Sequence, residues 1–426
     1  MTLPPSLLAH AHELLAAFHP DRPVAMRALL ADHPEVVRAS IHAAALAGDV
    51  EAVRDHLAAG TSPNAAIPVG DDPALLPVPV LYLACVLGHA DVAAALLQAG
   101  ADPNDGESVY HAAEHDHRDC LTLLQAHGAD LSGRHPHWDN TPLYFLAGYP
   151  PDHPRADTVA RGMTWLLERG ADPGVTSHVR TANDGTPGVA ETPLHRMASN
   201  GWGGDWARRL VAAGAPVNAT RRDGRTALAL AIRDGNTDMA DALRALGADD
   251  GDLRPVDRLV GAAVAGDAAA VARLRAHPAL DAFLSAPRSP DDHHALLRAC
   301  QLERVEGIRL LVSLGWSLTQ EGPWGGTALH WAAWHGRPHA VDALLLLHAP
   351  VDARDSQYGS SPLAWAAHGS AFARSGTEAD YVTVVRRLAA AGATRAPSFN
   401  RWNEAPESLA APAVADAVRD WASQAR

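Results

Sequence analysis

A short motif returns along nearly the whole chain. Its best-formed copy, GGTALHWAAWHGRPHAVDALLLLHAPVDARD, runs from Gly325 to Asp355. The frame is T-[PA]-L-H-x-A-A-x-x-G, then an apolar segment ending in a leucine pair, then a G-A-D-x-N turn or a variant of it. TPLHRMASNG from Thr192, TALALAIRDG from Thr226 and SPLAWAAHGS from Ser361 follow the frame closely. Looser copies begin at Ser40, Val80, Ser108 and Thr141, and two from Arg258 and Ala295 keep little beyond the apolar pattern. The leucine-type anchors are Ile41, Leu81, Val109, Leu143, Leu194, Leu228, Leu259, Leu296, Leu329 and Leu363, separated by about 36 residues on average. A chain made of one small element used many times must bury its apolar faces between neighbours, which predicts a stack of units.

The residues say what the element is. A threonine such as Thr327 caps a helix by accepting from a backbone N–H that otherwise has no partner. Where proline follows, as at Pro142, Pro193 and Pro362, it sits in the first turn, where its missing donor costs nothing. Leu329, Ala332, Ala333 and Gly336 fall at i, i+3, i+4 and i+7, one helical face. The alanines allow close approach of the next helix, and a glycine such as Gly48, Gly88, Gly201 or Gly336 ends the helix. A second helix supplies Val341, Leu344, Leu345 and Leu347, and a further glycine such as Gly60, Gly100, Gly170, Gly214 or Gly392 ends it. A helix pair of this size cannot bury its apolar face alone.

Over roughly residues 38–394 the sequence resembles the ankyrin-repeat family, whose units are near 33 residues long. The resemblance implies an all-α solenoid of about ten stacked helix-turn-helix units with helical caps. Residues 1–38 are expected to form an N-terminal cap, 39–250 repeats one to six, 251–394 repeats seven to ten, and 395–426 a C-terminal cap. In that last segment residues 413–425 read as an amphipathic helix with Trp421 inward. Insertions are expected at 65–79, 149–157, 174–190 and 370–380; the run around 247–255 is where a hinge or break would fall, but the near-normal spacing of the next unit favours one continuous array. His42, His195 and His330 take the motif histidine, to which the resemblance assigns a structural hydrogen bond.

Composition narrows the function. Hydrophobic residues make up 47% of the chain but aromatics only 5%, which suits small-residue helix packing better than a β-sandwich. The net charge of −14 disfavours general nucleic-acid binding and anionic membranes and favours basic partners. A local patch at Arg221, Arg222 and Arg225 is the exception to weigh. The chain has no lysine, so Schiff-base and phosphate-loop lysine chemistry are excluded. Coding bias or evasion of a lysine-directed tag would each explain that absence. Cys85, Cys120 and Cys300 are far apart and odd in number, which argues against a disulfide framework. No basic leader and no long uncharged apolar run are present, so a soluble, cytoplasmic protein is expected, monomeric by default.

The ankyrin resemblance implies that partners bind at the turn before the T-P-L-H motif and at the two positions after the paired alanines. After the paired alanines, Trp334 and His335 take the two free places in the ninth repeat, and His368 and Gly369 take them in the tenth. Trp331 and Trp365 lie one turn earlier, and Trp324 and Tyr358 stand in the preceding turns. Five of the eleven tryptophans fall between residues 316 and 365. Trp331 and Trp365 read first as packing between repeats, whereas Trp324, Trp334 and Tyr358 point outward. Together with His335 and His368 they form the expected partner-binding patch, because such rings anchor interfaces at little entropic cost.

Metal chemistry is the competing use of 24 histidines. His135-Pro-His137-Trp-Asp139 and His115-Asp-His117 lack a second ligand pair at finger spacing, and they read as solvated loop or helix-end residues. No cofactor is expected. For catalysis there is no GxSxG, no phosphate loop and no dinucleotide fingerprint. Cys85 and Cys300 replace a motif alanine and read as core residues. The expected function is non-catalytic: a scaffold, regulator or inhibitor that binds another protein on its concave face. An enzyme assembled from the inserted loops, or a ligand or metal sensor using His335 and His368, are the alternatives.

Overall fold

In the computed structural model the described residues are 37–67, 77–178, 188–373, 375–394 and 399–424. The expected N-terminal cap, apart from its last two residues, lies outside them, as do the middles of the 65–79 and 174–190 insertions. The chain divides into two compact units. One holds the described residues up to Tyr149 with Arg155–Arg196 and Ala212–Pro216. The other holds Pro150–Pro154, Met197–Val211 and the residues from Val217 onward.

The first unit is built of helix pairs: Ile41–Ala47 with Val50–Ala58, Val80–Leu87 with Ala90–Gln98, Ser108–Glu114 with Arg118–Ala126, and Pro142–Ala147 with Ala156–Glu168. The first helices of the leading pairs pack on one another in order, and the second helices form a parallel outer row. Hydroxyl caps start them: Ser40 Oγ accepts from Ala43 N–H at 3.1 Å and Thr141 Oγ1 from Tyr144 N–H at 3.2 Å. Gly88 follows its helix at φ 75°, and a Cβ there would lie 2.7 Å from His117 Nδ1 of the next repeat. That histidine contacts the Val86 carbonyl through Nε2 at 3.2 Å, so the glycine makes room for a bond between repeats.

A second tie comes from the asparagine that ends the turn after the second helix, in Gly60-Thr-Ser-Pro-Asn64 and again in Gly100-Ala-Asp-Pro-Asn104. Asn64 Nδ2 donates to the Gly100 carbonyl at 3.2 Å, and its Oδ1 accepts from Asp102 N–H at 2.7 Å. Asn104 repeats both bonds one turn on, to Gly128 and Asp130. The 65–79 insertion begins and ends as a two-residue antiparallel ladder, with Ala66 opposite Pro79 and Ile67 opposite Val78.

In the second unit the pairs Ala227–Arg233 with Thr237–Ala245, Pro255–Ala265 with Ala268–Arg275, Pro290–Gln301 with Val305–Ser313, Ala328–Trp334 with Pro338–Leu346, and Pro362–Phe372 with Glu378–Ala390 follow one another. Leu259, Leu296, Leu329 and Leu363, all anchors of the repeat frame, are fully buried in one continuous core. The helix Pro412–Gln424 closes it, with Val414, Val418 and Trp421 inward.

Two of the irregular segments have a local structure here. The 247–255 run lies inside this unit: Arg244 Nε pairs with Asp250 Oδ2 at 3.1 Å and Arg258 Nη2 donates to the Asp250 carbonyl at 2.8 Å, which ties the turn to both flanking helices. The expansion at 370–380 goes largely into helix, because Pro362–Phe372 runs to eleven residues and Thr377 opens the next helix with a capping box to Asp380.

Candidate partner-binding surface

The surface grows from the turn before the helix Ala328–Trp334. Thr327 and His330 form a reciprocal cap, with His330 Nδ1 accepting from Thr327 N–H at 3.1 Å and Nε2 reaching the Ser360 carbonyl at 3.1 Å. With its first turn fixed, the helix presents Trp331 and Trp334 one turn apart. Trp324 comes from the preceding turn and is 51% exposed. Its ring stacks on Trp331, with centroids 5.7 Å apart and planes 11° apart.

Ring contacts continue from there. Trp331 tilts against Trp365 at 6.5 Å, Trp365 meets Trp334 edge-on at 5.9 Å, and Trp334 meets His368 at 5.3 Å. His368 then meets Phe372 at 4.6 Å. Beside this run Tyr358 packs on Trp402 at 6.1 Å. Trp324, Phe372 and Trp402 are more than half exposed, while Trp331, Trp334, Tyr358 and His368 are half-buried. Burying the exposed half of one such indole is worth about 3 kcal/mol to a partner.

The ankyrin-repeat model that spans three copies matches residues 159–252, and the single-repeat model matches residues 80–108 and 324–356. The last match covers the helix pair that carries Trp331 and Trp334. These segments of the chain are ankyrin repeats. No curated protein matches it. Among solved structures it is similar to the human ASB11 ankyrin repeat domain, at 21% identity over 66% of this chain and 98% of that one, with a TM-score of 0.31. Ankyrin repeats form interaction scaffolds for other proteins and are typically not enzymes. Among the described residues no helix is long and apolar enough to cross a membrane.

Two residues of the expected patch are buried, Trp365 in line with the packing reading and His335 against its expected free position. Trp365 is 6% exposed because its indole N–H donates to the Asp355 carboxylate at 2.9 Å beneath the neighbouring rings. His335 is 4% exposed. It is covered by Ser375 Oγ, 2.7 Å from Nδ1, and by Asp152, whose Oδ2 lies 3.4 Å away. Burial works against the charge on Asp152, but His335, Ser375 and Gln301 outweigh it and hold the carboxyl well below the usual range. Burial lowers the pKa of His335 and of His368.

Sequence reasoning missed Phe372 and Trp402, which lie beyond the frame, and it missed Asp152. In the first unit it also missed a buried charge cluster. His111 Nδ1 lies 2.6 Å from Glu114 and Nε2 lies 3.3 Å from Glu107. Tyr149 donates its hydroxyl to Glu114, and Arg155 pairs with the same carboxylate at 2.6 Å.

The remaining candidates resolve into structure. His135, expected in a solvated loop, is 3% exposed because its Nδ1 accepts from the backbone N–H groups of His137 and Trp138 at 3.1 and 3.0 Å. Arg221 and Arg225 make no free basic patch: both are buried against Asp223, at 2.7 and 2.6 Å. Among the described residues no three His, Cys, Asp or Glu side chains are grouped to hold a metal ion.

Proposed function

We propose that this protein is a non-catalytic binding scaffold whose partner docks on the aromatic surface of the ninth and tenth repeats. Trp324, Trp331, Trp334, Tyr358 and His368 carry the contact, and Phe372 and Trp402 extend it. The observation behind this reading is the continuous ring contact from Trp324 to Phe372, with large rings left open to solvent at both ends. Rings held by other rings are already ordered, so docking costs little side-chain entropy. Hot spots are typically a few such anchors at the centre of a patch. The net charge of −14 adds a long-range preference for a partner whose overall charge is basic.

The test is affinity capture from the native cell with the full chain and a Trp324→Ala/Trp334→Ala variant. The double variant is expected to lose the captured protein while keeping its circular dichroism and most of its melting temperature. Equal capture by both chains would refute the reading.

A further inference from the structure

The segment Tyr149-Pro-Pro-Asp-His-Pro-Arg155 holds three prolines, so presenting Asp152 costs little chain entropy. Pro150–Pro154 belongs to the second unit, and there Asp152 meets donors from three repeats. Ser375 Oγ donates to Asp152 Oδ2 at 2.6 Å and Gln301 Nε2 donates to it at 3.1 Å. Because the Ser375 hydrogen goes to the carboxylate, His335 Nδ1 carries its own hydrogen and donates to Ser375 Oγ. His335 Nε2 is then a buried ring nitrogen with no partner.

Two guanidinium groups stand behind these donors. Arg298 Nη1 donates to Gln301 Oε1 at 2.7 Å, and Arg337 Nε donates to the Gln301 carbonyl at 2.8 Å. Arg298 is itself buried, with its Nε unpartnered. The acidic groups facing the arginines are Asp234 toward Arg298 and Asp380 toward Arg337. The Ser375 hydroxyl and the Gln301 amide bond the carboxylate directly, the His335 N–H orients the serine and the two guanidinium groups hold the glutamine, which together make a receptor for a carboxylate. The repeat motif requires none of them. Their present occupant comes from an insertion far away in sequence.

The receptor also shares a wall with the aromatic surface, since the His335 ring stacks on Trp331 at 5.7 Å and 29°. We propose that Gln301, His335 and Ser375 form a carboxylate-binding subsite, that Asp152 is its internal occupant, and that an acidic side chain of the partner displaces Asp152 on docking. This rests on the aromatic surface being the docking face. A tethered competitor acts at high effective concentration, so the intact chain binds a partner carboxylate more weakly than a chain without Asp152. The subsite is locally cationic although the chain as a whole is acidic, which makes the preference one of register and not of overall charge.

The test uses the full chain with N-acetylaspartate amide as the probe and N-acetylasparagine amide as the control. Binding is followed by the indole N–H resonance of Trp331, assigned through Trp331→Phe. Asp152→Ala is expected to bind the probe at least tenfold more tightly than the wild type and to ignore the control. Adding Gln301→Ala is expected to reverse the gain. Asp152→Asn keeps the volume of the side chain and is expected to show a smaller gain in the same direction, which guards against a misfolded alanine variant. A gain below tenfold, or an equal gain for the control, overturns the proposal. So does a lower melting temperature with no gain, the signature of a carboxylate that only braces the fold. The probe has no aromatic group, so its binding is read independently of Trp324 and Trp334. Tight probe binding alongside unchanged capture by the double tryptophan variant would sink the docking reading and leave the carboxylate subsite standing.

Discussion

Trp324 lies flat against Trp331, 5.7 Å between centroids, while its own backbone sits at φ 57°, in the left-handed region. That conformation costs a side-chain-bearing residue about 1–2 kcal/mol relative to its ordinary range. The flanking Pro323 and Gly325 set the turn, and the stacking contact offsets part of the cost. A residue that is half exposed and held in a disfavoured conformation contributes little to folding, so its value lies at the surface.

Trp324→Gly separates the two roles. Glycine relieves the backbone, the lost stacking subtracts about as much, and the melting temperature is expected to stay within about 3 °C of the wild type. Partner capture is expected to fall at least tenfold. A large loss of thermal stability with capture retained would place Trp324 among the packing residues.

Trp365 gives the opposite signature. Its indole N–H bonds the buried Asp355 carboxylate, which also accepts from Ser360 N–H at 2.9 Å. Trp365→Phe keeps most of the apolar volume but leaves that carboxylate one donor short, a loss of about 1–3 kcal/mol. Trp365→Ala adds a cavity and costs about 3–5 kcal/mol. Urea unfolding is expected to show both losses, while the folded Trp365→Phe protein still captures the partner. Unchanged stability in the phenylalanine variant would mean that the Asp355 bond contributes nothing.

The repeat was legible because each copy solves the same local problems with the same residues. Thr327 caps, Ala332 and Ala333 admit a neighbour, and Gly336 leaves in the left-handed region at φ 59°. Trp334 lies half-buried against Trp365 and His368, while the exposed turn position of Trp324 was legible from the same frame. His335 was not, because what buries it arrives from Asp152, 223 residues before its other partner Ser375. A periodic frame describes neighbours, and an insertion answers to none of its positions. Glu107, His111 and Glu114 were hidden differently: their spacing on one helix was visible, but nothing in sequence showed that Tyr149 and Arg155 would return to the same carboxylate.

That cluster makes stability depend on pH. Burial alone would lower the pKa of His111, but Glu107 and Glu114 outweigh it and raise it to about 9. The folded value is above the ordinary 6.5, so this stabilisation is complete below about pH 6.5 and is lost as pH rises through 9. Glu107 and Glu114 move the other way, to about 2 from 4.5, so theirs is complete above about pH 4.5 and lost as pH falls toward 2. Stability from the cluster is therefore greatest between about pH 4.5 and 6.5. The His111 contribution is on the order of 3 kcal/mol. Melting curves of the wild type are expected to fall between pH 6.5 and 9, and those of His111→Gln to stay flat over that range. A His111 ring that titrates near 6.5 by NMR would contradict the assignment.

Gly369 sits where the tenth repeat meets the ninth, and a Cβ there would lie 2.3 Å from the Trp334 carbonyl oxygen and 3.0 Å from its Cα. Helix propensity favours Gly369→Ala by about 1 kcal/mol. The overlap is with backbone, which cannot turn aside as a side chain would, and overpacking of this kind costs about 1–3 kcal/mol. The clash therefore wins, and Gly369→Ala is expected to lower the melting temperature by several degrees. Because the displaced carbonyl belongs to Trp334, the same change is expected to move its ring off His368 and weaken partner capture as well. A melting temperature that rises would mean that the two helices stand further apart than this contact requires, and that Trp334 is positioned by something other than the approach of the tenth repeat.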